Sequence, residues 1–207
     1  MNLRKKRASN STLYCIIDKE VAKKHNPESL AKILFRKGAS VIQLRYKNRP
    51  SFELVRISKK IACIAKRNKK IFLINDRVDV ALASAASGVH IGRGDMPVGL
   101  VRTLLPGGSL VGKTVHSVKQ AKAAKKESVD YISAGPVFFT PIKKHLKKQG
   151  AGFIKKIKKT VSVPLFAIGG ISRTNIRKLS GSAADGFCVA RAALDIKGLK
   201  GIINDFN

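Results

Sequence analysis

The feature that most limits the folds open to this chain is a repeated alternation. Short apolar runs of four or five residues are separated by longer stretches whose apolar positions recur with helical spacing. The runs are 13–17, 41–44, 71–74, 88–91, 110–113, 131–134, 165–168 and 186–189. Continuous apolar runs that stop abruptly at polar residues suit strands buried on both faces of a parallel sheet. Between them, 51–66 places Leu54, Ile57, Ile61 and Ile64 on one stripe, and 117–126 and 153–159 read as further amphipathic helices. Eight strands, each followed by a helix-like segment, in 207 residues imply an α/β protein built as a single (β/α)8 TIM barrel. An open doubly wound sheet is the alternative. It is disfavoured because no Gly-x-Gly-x-x-Gly turn follows the first run. Small residues lead into several runs, as in Gly38-Ala39-Ser40, Ala86-Ser87-Gly88 and Ala183-Ala184-Asp185-Gly186. There is no linker-like segment. Residues 1–10 are expected to form a basic tail and 11–207 the barrel.

A barrel of this kind carries its chemistry at the rim formed by the C-terminal strand ends, so the residues just after each run are the site candidates. The second run delivers Gln43, Arg45 and Lys47, which strand alternation sends to one side, with Arg45 and Lys47 aimed at one anionic ligand. The third delivers Asn75 and Asp76, and the fourth leads to Asp95 within Gly92-Arg93-Gly94-Asp95-Met96-Pro97. Two carboxylates from neighbouring strand ends can share Mg²⁺, with substrate phosphate completing its shell. The chain has only 12 acidic residues, so two of them at adjacent strand ends carry weight. Asp95 also suits a helix cap ahead of Pro97. Arg77 and Asp79 are expected to pair with each other. After the fifth run come Thr114, His116 as an accessory candidate and Ser117 as a helix cap. After the sixth, a long loop reaching Thr140, Ile142 and Lys143 reads as a cover that brings a lysine to an anion. Gly169-Gly170 after the seventh and Ala190-Arg191 after the eighth match the phosphate-binding corner of many barrels. The expectation is a metal-assisted diphosphate subsite near strands two to four, facing a metal-free phosphate subsite near strands seven and eight. Two phosphorylated small molecules held face to face suggest a transferase that expels diphosphate.

Composition agrees with an anion-handling protein. Lys and Arg number 42, for a formal net charge of +30, spread along the whole chain. Aromatics are only 6% and Trp is absent, which argues against base-stacking platforms and makes nucleic acid an unlikely main partner. Cys15, Cys63 and Cys188 lack metal-like spacing and sit in apolar stretches, so buried reduced thiols are expected. The basic start is not followed by a hydrophobic signal region, and no stretch reaches transmembrane length. A cytoplasmic location without membrane association follows as an expectation. Self-association into a homo-oligomer is left open.

Taken together, the motifs resemble one family. Leu13-Tyr14-x-Ile16-x-Asp18, Gln43-Leu44-Arg45-x-Lys47, Asn75-Asp76-Arg77-Val78-Asp79-x-Ala81, Gly88-Val89-His90-x-Gly92-x-x-Asp95-Met96-Pro97, Gly135-Pro136-x-Phe138 and Ile168-Gly169-Gly170-Ile171 are similar, in that order, to the thiamine phosphate synthases. The thiazole tautomerase of the same pathway is a close paralogue on the same barrel. The resemblance implies condensation of hydroxymethylpyrimidine diphosphate with thiazole phosphate, or its carboxylated form, through a pyrimidine-methyl cation. It assigns Gln43, Arg45, Lys47, Asn75, Thr114 and Lys143 to the pyrimidine diphosphate, and Asp76 and Asp95 to Mg²⁺. Thr140, Ile142, Gly170, Ala190 and Arg191 fall to the thiazole phosphate. Three places depart from the family pattern. Thr114 stands where Ser is usual, Thr140-Pro141-Ile142-Lys143 lacks the second hydroxyl of Thr-x-Thr-Lys, and Ala190-Arg191 replaces an Ile-Ser pair. The paired carboxylates favour the synthase over the tautomerase. A polyanion-binding protein is the distant alternative.

Overall fold

The computed structural model describes residues 11–143 and 146–206, so the expected basic tail lies outside the described residues. Eight strands pair in chain order and close into a barrel, and every neighbouring pair is parallel. They are β1 (Thr12–Asp18), β2 (Val41–Arg45), β3 (Ile71–Asn75), β4 (Gly88–Ile91), β5 (Leu110–Val115), β6 (Tyr131–Ala134), β7 (Leu165–Ile168) and β8 (Gly186–Val189). The helices are α1 (Pro27–Arg36), α2 (Ser51–Arg67), α3 (Val78–Ser84), α4 (Val98–Leu104), α5 (Val118–Lys125), α6 (Gly150–Lys158) and α7 (Leu199–Phe206). Several strands outlast their apolar runs because the polar residue that ends the run still has a partner across the sheet. Asp18 lies opposite Arg45, and Asn75 opposite His90.

One expectation fails on the far side of the barrel. After β7 the chain makes only a four-residue 3₁₀ turn, Ile176–Leu179, and after β8 another, Arg191–Leu194, before α7. The first turn is closed off on both sides. Asn175 accepts from Ser172 N at 2.9 Å ahead of it, and Gly181 beyond it is left-handed, at φ +67°. The five residues between such punctuation cannot complete more than this turn. Two helices carry side-chain caps of the expected residue types. Asn26 accepts from Ser29 N at 2.8 Å at the start of α1, and Ser117 from Gln120 N at 3.1 Å at the start of α5, where polar side chains satisfy backbone donors that the helix leaves over.

Strand alternation divides the apolar residues into two cores. Outward-facing residues such as Leu13, Ile42, Phe72, Val89 and Phe187 pack against the helices. A separate inner cluster contains Tyr14, Ile16, Val41, Ile71, Leu73, Tyr131, Phe166 and Cys188. Gly112 makes room for it: a Cβ there would fall 1.9 Å from Cζ of Tyr131. All three cysteines are free, and Cys15 and Cys188 are buried as expected. Cys63 is not. It is exposed, because on α2 it falls off the stripe on which Leu54, Ile57 and Ile61 are buried. Among the described residues, no helix is long and apolar enough to cross a membrane.

Candidate active site

The C-terminal strand ends surround one cavity of about 510 Å³. Gln43 and Arg45 from β2, Asn75 from β3, Thr114 from β5 and His116 just beyond it all line it. So do Thr140 and Ile142 of the loop after β6, Gly170 after β7, and Ala190 and Arg191 after β8. Candidates scattered over about 150 residues of sequence therefore share one wall-to-wall space. Lys143 falls in a 3₁₀ turn, Pro141–Lys143, within the covering loop, and its side chain lies outside the described part of the structure.

Three candidates stand beside the cavity rather than on its wall. β2 ends at Arg45, so Lys47 lies past the strand and alternation no longer governs its direction. Arg45 lines the cavity and Lys47 stands beside it, and both lie near enough to Asp76 to oppose the rise in its pKa. Lys47 Nζ approaches Asp76 Oδ2 at 3.6 Å. Arg45 in turn forms an ion pair with Asp18. Asp18 is buried and also accepts from Glu20 N at 2.9 Å and Val21 N at 3.2 Å. These bonds hold Arg45 at the cavity edge, where its fork suits an anion.

Asp76 adopts the left-handed conformation, at φ +56°. Its backbone N–H donates to His90 O at 2.9 Å, and its Oδ2 accepts from Asn75 Nδ2 at 2.8 Å. Burial raises its pKa above the ordinary carboxylate value; Lys47 opposes the rise and Asp95 adds to it. Asp95 Oδ2 accepts from Gly92 N at 2.6 Å, which closes the turn after β4. That bond replaces the expected capping role, since the N-cap of α4 is Pro97 and makes no side-chain bond. A half-buried carboxylate pair with its repulsion only partly offset by Lys47 suits a hard divalent cation. Among the described residues, no group of three or more His, Cys, Asp or Glu could hold a metal ion; Mg²⁺ is the hard cation that commonly takes only one or two carboxylates and completes its shell with water and substrate phosphate.

His116 donates from Nδ1 to Gly135 O at 2.5 Å, and its backbone N–H donates to Gln120 Oε1 at 2.7 Å. It anchors the start of the covering loop. Gly170, at φ +65°, holds the other side of that loop: a Cβ on it would fall 2.2 Å from Phe139 O. Only a glycine lets the two loops meet here. Asn175 Nδ2 donates to Gly170 O at 2.8 Å and fixes the turn. Arg77 pairs with Asp79 as expected, Nε to Oδ1 at 2.8 Å, and also donates to Ser51 Oγ at 2.7 Å.

Sequence reasoning gave no site role to Tyr14, Asp18 and His90, which belong to the quoted motifs, or to Ser133 and Arg173, and all five line the cavity. The signal existed. Tyr14, Ile16 and Asp18 share one face of β1 by alternation, and polar residues inside other runs, such as His90 and Ser133, mark the same inward face.

The family model described as thiamine monophosphate synthase matches residues 13–193. This chain belongs to the thiamine monophosphate synthase family. A thiamine-phosphate synthase of Caldanaerobacter subterraneus subsp. tengcongensis is 41% identical over 79% of this chain and 77% of its own. One from Methanoculleus marisnigri is 38% identical over 88% and 87%. The solved thiamine phosphate pyrophosphorylase of Pyrococcus furiosus superposes with a TM-score of 0.85 over 99% of both chains, at 33% identity. Within a thiamine monophosphate synthase fold, the three departures noted in the sequence (Thr114, Ile142 and Ala190-Arg191) all fall on the cavity wall.

Proposed function

We propose that this protein is a thiamine phosphate synthase. It would join 4-amino-2-methyl-5-hydroxymethylpyrimidine diphosphate to 4-methyl-5-(2-phosphoethyl)thiazole and release diphosphate; with the carboxylated thiazole, CO₂ would leave as well. Family membership supports the reaction. The observation that carries the reading is the layout of the rim. A carboxylate pair and cations lie by β2 to β4, and a glycine turn with Arg191 lies by β7 and β8, around one cavity that can hold two reactants.

In this reading Arg45, Lys47, Asn75 and Lys143 hold the diphosphate, and Asp76 and Asp95 hold Mg²⁺. When bound, that ion supplies charge stabilisation to the departing diphosphate. Gln43 and Thr114 orient the pyrimidine ring. The C–O bond to the diphosphate breaks first, and the amino-substituted ring spreads the charge left on its methylene carbon. Thr140, Ile142, Gly170 and the Ala190-Arg191 segment hold the thiazole phosphate so that its ring nitrogen faces that carbon. Positioning two reactants supplies much of the rate. The covering loop keeps water, a competing nucleophile, away from the cation.

The test is thiamine phosphate formation from the two substrates, measured with Mg²⁺ and then with EDTA. Metal-dependent product is expected. A folded protein that makes none, but isomerises carboxythiazole phosphate, would instead be the tautomerase.

A further inference from the structure

A continuous chain of hydrogen bonds runs along the cavity floor, inside the barrel. Gln43 Nε2 donates to Tyr14 Oη at 2.6 Å. Tyr14 Oη meets Tyr131 Oη at 3.0 Å, and Tyr131 Oη meets His90 Nδ1 at 2.8 Å. His90 Nε2 meets Thr114 Oγ1 at 2.7 Å. Every member is buried. The rings are locked against one another: Tyr131 and His90 stack at 5.5 Å, and Phe166 packs edge-on against both tyrosines, at 5.6 and 5.4 Å. Gln43, Tyr14, His90 and Thr114 line the cavity, and Tyr131 lies behind them.

The direction of these bonds is set by counting protons. Burial pushes both phenols far above their ordinary pKa, so each tyrosine keeps one proton to donate. With Gln43 donating to Tyr14, the arrangement that satisfies every donor within the chain has Tyr14 giving its proton to Tyr131. Tyr131 must then donate to His90 Nδ1. A neutral imidazole that accepts at Nδ1 carries its proton on Nε2 and donates to Thr114. Thr114, having accepted, turns its own proton away from His90.

We propose that Gln43, Tyr14, Tyr131, His90 and Thr114 form a one-way hydrogen-bond wire that makes the cavity floor selective for an amino-substituted heteroaromatic ring. This rests on the synthase reading for the identity of the ring. The wire holds Gln43 with Nε2 turned inward, so Oε1 is presented to the cavity as an acceptor and meets an exocyclic amine. Thr114 at the far end is presented as a donor. A 4-oxo ring carries the opposite pattern, a carbonyl acceptor beside a ring N–H. Gln43 could match it only by turning its amide over, which places Oε1 against the Tyr14 hydroxyl. Both tyrosines and the histidine tautomer would then have to reverse together. Tyr14, Tyr131 and His90 are thus positioning residues. Tyr131, away from the cavity wall, acts only through its neighbours, and the coupling of all five converts four separate bonds into one barrier against the wrong ring.

Two measurements decide the matter. The first is ¹⁵N NMR of the histidines in the wild-type protein without substrate, with the His90 signals assigned from a His90→Gln variant. Nε2 protonated and Nδ1 bare is expected; the reverse tautomer would overturn the stated direction. This readout needs no turnover, so it stands even if the synthase reading fails. The second compares kcat/KM for the 4-amino and 4-oxo pyrimidine diphosphates. The wild type is expected to prefer the amino substrate by at least about a hundredfold, as sites built on buried polar groups do. Tyr131→Phe cuts the wire, lets the Gln43–Tyr14 pair reverse alone, and is expected to narrow that preference about tenfold or more, with the KM for thiazole phosphate unchanged. Tyr14→Phe is the second variant, should the first not fold, and is expected to do the same. A preference left intact in a folded variant, with thermal unfolding as the control, would sink the proposal.

Discussion

Asp76 is where residue-scale physics makes the sharpest statement. Its carboxyl is harder to ionise in the folded protein than in the unfolded chain, chiefly because it is half-buried, with Asp95 adding to the effect and Lys47 opposing it. A carboxylate whose pKa is raised on folding holds its proton longer in the native state. Stability therefore falls as pH rises from the unfolded value through the native one, and the penalty is complete above that. Asp76→Asn removes the buried charge, so the variant is expected to melt higher than wild type at pH 7. The advantage should vanish below about pH 4, where both forms are uncharged in either state. Added Mg²⁺ should raise the melting temperature of the wild type and not of the variant. Thiamine phosphate formation should drop by at least about a hundredfold. Equal stabilisation of both proteins by Mg²⁺ would remove Asp76 from the metal site. Arg191 tests the other subsite. Arg191→Ser restores the residue type usual in the family and removes a cation from the cavity wall. It is expected to raise the KM for thiazole phosphate about tenfold, the worth of one charge-assisted hydrogen bond, while the KM for the pyrimidine diphosphate stays put.

At the scale of elements, the barrel is held by helices laid over parallel strands, with side-chain caps at the starts of α1 and α5, and their stability should be separable from the chemistry. Asn26, Pro27 and Glu28 form a compact start for α1, with the Asn26 side chain bonded to Ser29 N and an acid in the first turn. Asn26→Ala should cost about 1 kcal/mol, seen as a lower denaturant midpoint with an unchanged slope. Turnover should be unaffected, because α1 begins on the side of the barrel that follows β1 and none of its residues lines the cavity. A loss of activity would mean that α1 transmits order to the site. The elements also explain what the sequence reading missed. A helix was expected after β7 by analogy with its neighbours, but the four residues Ile176–Leu179 are fenced by an Asn-bonded turn and a left-handed glycine. The local turn chemistry outweighed the global repeat.

At the scale of the whole molecule, the charge of +30 acts on both stability and encounter. Like charges repel in the compact state, and salt screens them over about 10 Å at 0.1 M. Raising NaCl from about 10 mM to about 150 mM should therefore increase the melting temperature. The same salt should lower kcat/KM for the pyrimidine diphosphate and leave kcat nearly constant, because steering affects arrival rather than chemistry. An insensitive kcat/KM would show that the positive field plays no part in capture. The barrel and the neighbourhood of its site were both legible in the sequence. A strand buried on both faces must be apolar throughout, so each run announced itself, and the polar residue that ended it marked the rim. Alternation is local and can be read along one strand. Which residues from different strands meet is not local. It depends on how closure offsets eight strands, and only the folded barrel brought Arg45 to Asp18, moved Lys47 past the end of β2 to Asp76, and joined Gln43 to Thr114 through three buried rings.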